Sequence, residues 1–184
     1  MKPFIHFQAE INDNTVGQLI THLRSWNSPD TVVIDSPGGT FDFFSVRAPA
    51  IKRLGVTTVA NRVYSAASVL FVLGAERVVH KDSEILFHEV RVVSTDGQHI
   101  TVSDVDEYEA ILHYMHKTQP PEMFSEWRRQ MHNAQNWFTQ FIADHTHCPV
   151  NIVRNLISED AIISGKEAYR YGLATKFGEL RIFN

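Results

Sequence analysis

The stretch Thr31-Val32-Val33-Ile34-Asp35-Ser36-Pro37-Gly38-Gly39 decides how the chain is read. A short β-branched run that breaks at a Ser-Pro-Gly-Gly turn predicts a buried strand followed by a loop. Proline ends the hydrogen-bonding ladder, and two glycines let the loop aim its N–H groups at one point and let a ligand come close. Upstream, residues 4–9 predict a strand. Asn12-Asp13-Asn14 offers N-caps for a helix with Val16, Leu19, Ile20 and Leu23 at helical spacing. A turn is expected at Asn27-Ser28-Pro29-Asp30. Downstream, Phe41, Phe44, Ile51 and Leu54 predict a helix that Pro49 kinks and Gly55 closes. A strand over 56–63, a helix over 66–73 and short strands over 77–80 and 84–88 complete the first half. Strands alternating with helices predict a parallel, layered α/β fold, in which ligand sites lie at the carboxyl ends of strands. Gly38-Gly39 and the segment 65–68 occupy such ends.

The second half changes character. Residues 90–95 and 99–102 predict a hairpin around Asp96-Gly97, and 103–117 a helix whose first turn carries Asp104, Asp106 and Glu107. Pro120-Pro121 breaks the chain. Met123, Phe124, Trp127, Met131, Trp137, Phe138, Phe141 and Ile142 mark a long helix with one apolar face. A shorter helix is expected over 151–157. Ser164 and Glu167 form a capping box that opens a last helix, with Gly172 as its C′ residue.

Composition bounds the function. The chain has 184 residues, of which 43% are hydrophobic and 21% charged, so a globular chain organised as one domain over 1–184 is expected. Its formal charge of −4 gives no electrostatic footprint for nucleic acid. No apolar run approaches the ~20 residues that span a bilayer, and no secretory leader is legible. With Cys148 as the single cysteine, no internal disulfide can form, and a cytoplasmic location is expected. No HExxH, paired CxxC, phosphate loop or GxSxG elbow occurs. His145, His147 and Cys148 lack a second cluster and read as a loop, so no metal and no cofactor are expected.

The residues that could carry chemistry are few. Ser68 lies at the start of a helix, where unpaired N–H groups and the dipole favour negative charge; on composition alone Ser65 or Ser68 reads as an N-cap. The Gly38-Gly39 loop could supply donors to an oxyanion, or be a turn needing positive φ. His88 could take a proton from a serine, and Asp160 could orient the imidazole, or be a solvated acid beside Glu159.

Together these pieces resemble the Clp protease proteolytic subunit (ClpP) family, with the ClpP/crotonase fold. The resemblance is carried by Ser36-Pro37-Gly38-Gly39, Tyr64-Ser65-Ala66-Ala67-Ser68, Ile85-Leu86-Phe87-His88, and the segment from Asp160 through Ser164-Gly165-Lys166-Glu167-Ala168 to Tyr171-Gly172-Leu173. It implies a serine peptidase working through an acyl-enzyme. Ser68 would be the nucleophile, His88 the base and Asp160 its orienter, with the backbone N–H groups of Gly39 and Val69 as the oxyanion hole. Peptides or unfolded chains would be the substrates. A catalytically silent or repurposed assembly subunit is the alternative, and a crotonase-type acyl-CoA enzyme shares the fold.

The chain also departs from the family. Asp35 stands where the family usually has asparagine, and Phe41, Phe43 and Phe44 follow the glycines, so a narrow cleft is expected there. Glu89-Val90 replaces the usual Gln-Pro after the histidine. The region of about 90–150 is an enlarged, mostly helical insertion whose apolar stripe needs a covering surface, its own domain or another subunit, and a homo-oligomer built largely through this region is expected. The segment that forms the family's axial loops is missing, so no stable docking of a Clp-type unfoldase is expected.

Overall fold

The structure is a computed structural model that describes residues 4–25, 30–93, 97–114 and 122–178. Strand β1 (Phe4–Phe7) leads into α1 (Asp13–Leu23), β2 (Thr31–Ser36), α2 (Phe44–Leu54), β3 (Thr57–Tyr64), α3 (Ala67–Val72), β4 (Glu76–Val79) and β5 (Glu84–Leu86). The insertion carries β6 (Arg91–Val93), β7 (His99–Thr101), α4 (Val102–Tyr114) and α5 (Glu122–Asp144). The chain closes with α6 (Val150–Ser158), β8 (Ile162–Ser164), α7 (Gly165–Arg170) and β9 (Lys176–Phe177). The α/β alternation of the first half is as the sequence predicts. Asn27, Ser28 and Pro29, Asp96, Lys117, and Pro120-Pro121 lie outside the described residues, as do the expected features built on them.

Local chemistry explains the elements. The Asn12 side chain accepts from the Thr15 N–H at 3.0 Å, and Thr15 Oγ1 accepts from the Asn12 N–H at 3.2 Å. These paired bonds start α1, which buries Val16, Leu19, Ile20 and Leu23. Helix α2 runs through Pro49, which lies on its exposed side, and ends where Gly55 takes φ 62°. Ser164 and Glu167 make the expected capping box, and Gly172 leaves α7 with φ 80°.

The sheet order is β1-β2-β3-β4-β9, all parallel. Strand β3 is the fork. Its first half pairs with β4, while Arg62, Val63 and Tyr64 pair with Glu84, Ile85 and Leu86 of β5. Strand β8 then pairs antiparallel to β5, with Leu86 opposite Ile162. Strand β5 is shorter than the sequence suggests, so His88 lies beyond its end. Strands β8 and β9 were not foreseen: β8 is hidden in the capping-box segment and β9 is a two-residue strand.

The main core includes the fully buried Phe44, Phe71, Phe87 and Ile142. A second cluster joins Val90, Val102, Val105 and Met131, with Phe41, Trp127 and Ile100 packed on it. The apolar face of α5 therefore turns inward: Met131, Phe138 and Ile142 are buried, and Trp137 and Phe141 pack on the core. Along these residues the chain's own α3, α4 and α6 cover the stripe, which is one of the two coverings expected for it. The exposed large apolar residues include Val46, Val93 and Ile162 instead. Met131→Ala should lower the unfolding free energy by about 2–4 kcal/mol, as expected for a truncated buried side chain, read by denaturant titration.

Candidate active site

The site grows from the Ser36-Pro37-Gly38-Gly39 loop. Buried Ser36 donates its hydroxyl to Ala9 O at 2.7 Å and accepts from the Gly38 N–H at 3.2 Å. Ile11 clamps the glycines from the other side, its N–H donating to Gly38 O at 2.7 Å and its carbonyl accepting from Thr40 N–H at 2.9 Å. This ladder uses the residues flanking Gly39 and leaves the Gly39 N–H out of it. Gly38 and Gly39 take φ of 97° and 145°. A methyl on Gly39 would strike Ile11 O, and one on Gly38 would lie 2.6 Å from Tyr64 O and 2.8 Å from Ser65 Cβ.

Strand register brings the other groups to the loop. Tyr64 is opposite Leu86, and the Ser65 N–H donates to Leu86 O at 2.9 Å, so the chain leaving β3 runs beside the chain leaving β5 toward His88. The Phe87 N–H donates to Ala161 O at 2.9 Å, which carries the antiparallel pairing on and sets Asp160 beside His88. A cleft of about 360 Å³ opens there, lined by Gly39, Phe41, Ser65, His88, Arg91 and Phe138 among others. Of the three phenylalanines after the glycines, Phe41 lines the cleft and stacks on Trp137 at 5.5 Å. Phe44 is wholly buried, with Phe43 stacked on it at 4.6 Å.

Two expected site residues are not among those that line the cleft. Ser68 is fully buried inside α3 and donates its hydroxyl to Ser65 O at 2.7 Å, so it does not reach the cleft. Val69 is also buried, and its N–H donates to Ala66 O at 3.1 Å, so it is not free to hold an oxyanion. The serine that faces the cleft is Ser65, in the left-handed region at φ 55°. Positive φ on a non-glycine residue is a strained position of the kind that collects at functional sites. The sequence held a clue in the paired serines around Ala66-Ala67, but both suit a helix start equally. Ala66 and Ala67 follow Ser65 in the first turn of α3, and the Ala66 N lies 3.3 Å from the position a Gly38 side chain would take.

His88 is half-buried, and burial is the main force holding its imidazole below the ordinary 6.5, so it is neutral at pH 7. Its Nδ1 donates to Glu89 O at 2.6 Å. Asp160 sits beside it without bonding it: Oδ2 accepts from Arg91 Nη2 at 2.8 Å and Oδ1 from the Glu89 N–H at 3.4 Å. The charge of Asp35 is neutralised in place, since Arg62 grips both carboxylate oxygens at 2.7 and 3.0 Å and holds the acid below its usual range. Among the described residues no cluster of metal-binding side chains occurs, and no helix is long and apolar enough to cross a membrane.

Comparison with known proteins agrees with this architecture. No family model matches the chain. The "ATP-dependent Clp protease proteolytic subunit 1" of Corynebacterium glutamicum is 26% identical over 187 residues, covering 96% of this chain and 79% of that protein. The protein of the same name from Thermobifida fusca is 26% identical over 179 residues, covering 90% of this chain and 69% of its own length. The chain is thus similar to ClpP proteolytic subunits over nearly its whole length. The ClpP protease catalytic domain from Plasmodium falciparum shares the fold, with a TM-score of 0.61 at 18% identity over 97% of this chain and 86% of that one.

The two serines make opposite forecasts. Ser65→Ala should abolish labelling by a fluorophosphonate and leave the fold intact. Ser68→Ala should keep the label and cost about 1 kcal/mol of stability for the lost hydrogen bond. Loss of the label in Ser68→Ala alone would return the reactive role to Ser68.

Proposed function

We propose that the chain is a serine peptidase of the ClpP type, with Ser65 as nucleophile and His88 as general base. The single observation that carries this reading is one cleft lined together by Ser65 at positive φ, His88 and the glycine loop. The names of the relatives, all proteolytic subunits, support peptide bonds as the substrate.

In the proposed reaction Ser65 Oγ attacks the scissile carbonyl while His88 Nε2 accepts the hydroxyl proton. The carbonyl oxygen becomes an oxyanion held by the N–H groups of Gly39 and Ala66, the residue after the serine taking the part first expected of Val69. The C–N bond breaks as His88 returns the proton to the leaving amine, which leaves an acyl ester on Ser65. Water, deprotonated by His88, attacks the ester and restores the serine. Asp160 lends negative charge near the imidazolium and the Glu89 carbonyl accepts from its Nδ1–H, while Arg91 opposes the charge. No metal or cofactor takes part. Peptides or unfolded chains are the proposed substrates, and self-association is carried over from relatives named as subunits. Stable docking of a Clp-type unfoldase is not part of the proposal.

A second reading has its own support. Asp160 is engaged by Arg91 and not by His88, as suits a silent or repurposed assembly subunit. Peptide hydrolysis with and without fluorophosphonate separates the two. Turnover that the label removes, and that falls on the order of 10⁴–10⁶-fold in Ser65→Ala, is expected of the peptidase. A protein neither labelled nor active would be the silent subunit.

The acid limb of kcat/KM should report His88. Burial and Arg91 depress its pKa, so activity should fall as acid protonates the imidazole, with a midpoint below the ordinary 6.5. Arg91→Gln removes a positive charge and leaves Asp160 unpaired, so the midpoint should move upward. A midpoint that stayed in place would show that Arg91 does not act on the base.

A further inference from the structure

The insertion of about 90–150 reaches the base through one peptide group. Glu89 O accepts from His88 Nδ1 at 2.6 Å, and the Val90 N–H, in the same planar unit, donates to Gln135 Oε1 on α5 at 3.0 Å. A trans peptide points its carbonyl and its N–H in opposite directions, so fixing one fixes the other. The residue before this group is gripped as well. The Glu89 carboxylate accepts from the Ser103 N–H at 3.0 Å and from its hydroxyl at 2.6 Å, at the first turn of α4, where a negative charge also suits the helix dipole. Val90 is anchored in the apolar cluster with Val102, Val105 and Met131.

We propose that the Glu89–Val90 peptide, clamped by Gln135 and Ser103, orients His88, which makes Gln135 and Glu89 positioning residues supplied or held by the insertion. A carbonyl can only accept, so it selects the tautomer with the proton on Nδ1 and leaves the Nε2 lone pair to take a proton from Ser65. This is the part that a carboxylate plays in a Ser-His-Asp triad. Both Asp160 oxygens have other partners, Arg91 and the Glu89 N–H, so Asp160 acts here through its charge and through Glu89. The charged or titratable groups acting on His88 besides Glu89 are Arg91, Asp160 and His99. The assignment accounts for the fate of the insertion's polar contacts: its apolar face builds a core, and its polar groups brace the base.

The assignment rests on His88 being the base of the proposed peptidase, and the test separates the two. Imidazole nitrogen shifts of the full chain, followed by NMR against pH, give the His88 tautomer and pKa whether or not the protein hydrolyses peptides. The unmodified protein should hold the Nδ1–H tautomer above its pKa. Gln135→Leu removes the acceptor and should yield mixed tautomers, a lower His88 pKa, and a loss of about tenfold to 10²-fold in kcat at unchanged KM. Gln135→Glu keeps an acceptor oxygen and should retain the tautomer. Ser103→Ala loosens Glu89 without touching the cleft and should shift the same signals; it serves as the reading if Gln135→Leu does not fold. Asp160→Asn should keep the tautomer and lose less activity than Gln135→Leu. An Nε2–H tautomer in the unmodified protein, a wild-type tautomer in both Gln135→Leu and Ser103→Ala, or a tautomer lost only in Asp160→Asn would overturn the proposal. Absence of label and turnover with the expected tautomer pattern would instead count against the peptidase reading alone.

Discussion

The Tyr64–Ser65 backbone lies so close to Gly38 that one added methyl there would collide with Tyr64 O and Ser65 Cβ. That contact is possible only because Gly38 has no side chain and can take φ 97°. It draws the end of β3 under the loop that follows β2, and the turn to positive φ at Ser65 then directs that residue into the cleft. Ser36 and Ile11 fix the loop from opposite sides, and the Ser65 N–H bond to Leu86 O holds the other partner. The cleft exists where two parallel strands end and a glycine lets their continuations touch.

The fork of β3 supplies the rest. A strand that paired with β4 along its whole length would carry no neighbour for His88. By exchanging β4 for β5 after Val59, β3 sets the histidine segment beside Ser65, and the antiparallel return of β8 delivers Asp160. The insertion is built onto this frame through α5, which packs on α3 and α6 and whose Gln135, on the same face as Met131 and Phe138, reaches the Glu89–Val90 peptide. Packing and electrostatics meet there, since the helix that buries Met131 also carries Gln135.

Charge around the cleft is balanced pair by pair. Asp35 is answered by Arg62, Asp160 by Arg91, and Glu89 by the amide and hydroxyl of Ser103. Burial is the largest influence on the protonation of the imidazole. Such an arrangement keeps His88 neutral and able to accept a proton, and it leaves Asp160 to act at a distance.

The amino-acid sequence by itself determined the alternation of strands and helices in the first half, the caps at Asn12 and Ser164, and the Ser36–Gly39 loop. Each rests on interactions within a few residues, which a linear pattern records. It also carried His88 and Asp160 in an order that folding brings together. Which of Ser65 and Ser68 lines the cleft is not written in the linear pattern, because both flank Ala66-Ala67 at a helix start and differ in backbone direction, set by the contact with Gly38 and the Ser65 bond to Leu86. The short strands β8 and β9 were invisible for a related reason: two or three residues have no periodicity, and a distant partner makes them strands. The inward turn of α5 was likewise a tertiary decision. An apolar stripe shows that a helix must be covered, and only the packed chain shows that the covering surface is its own.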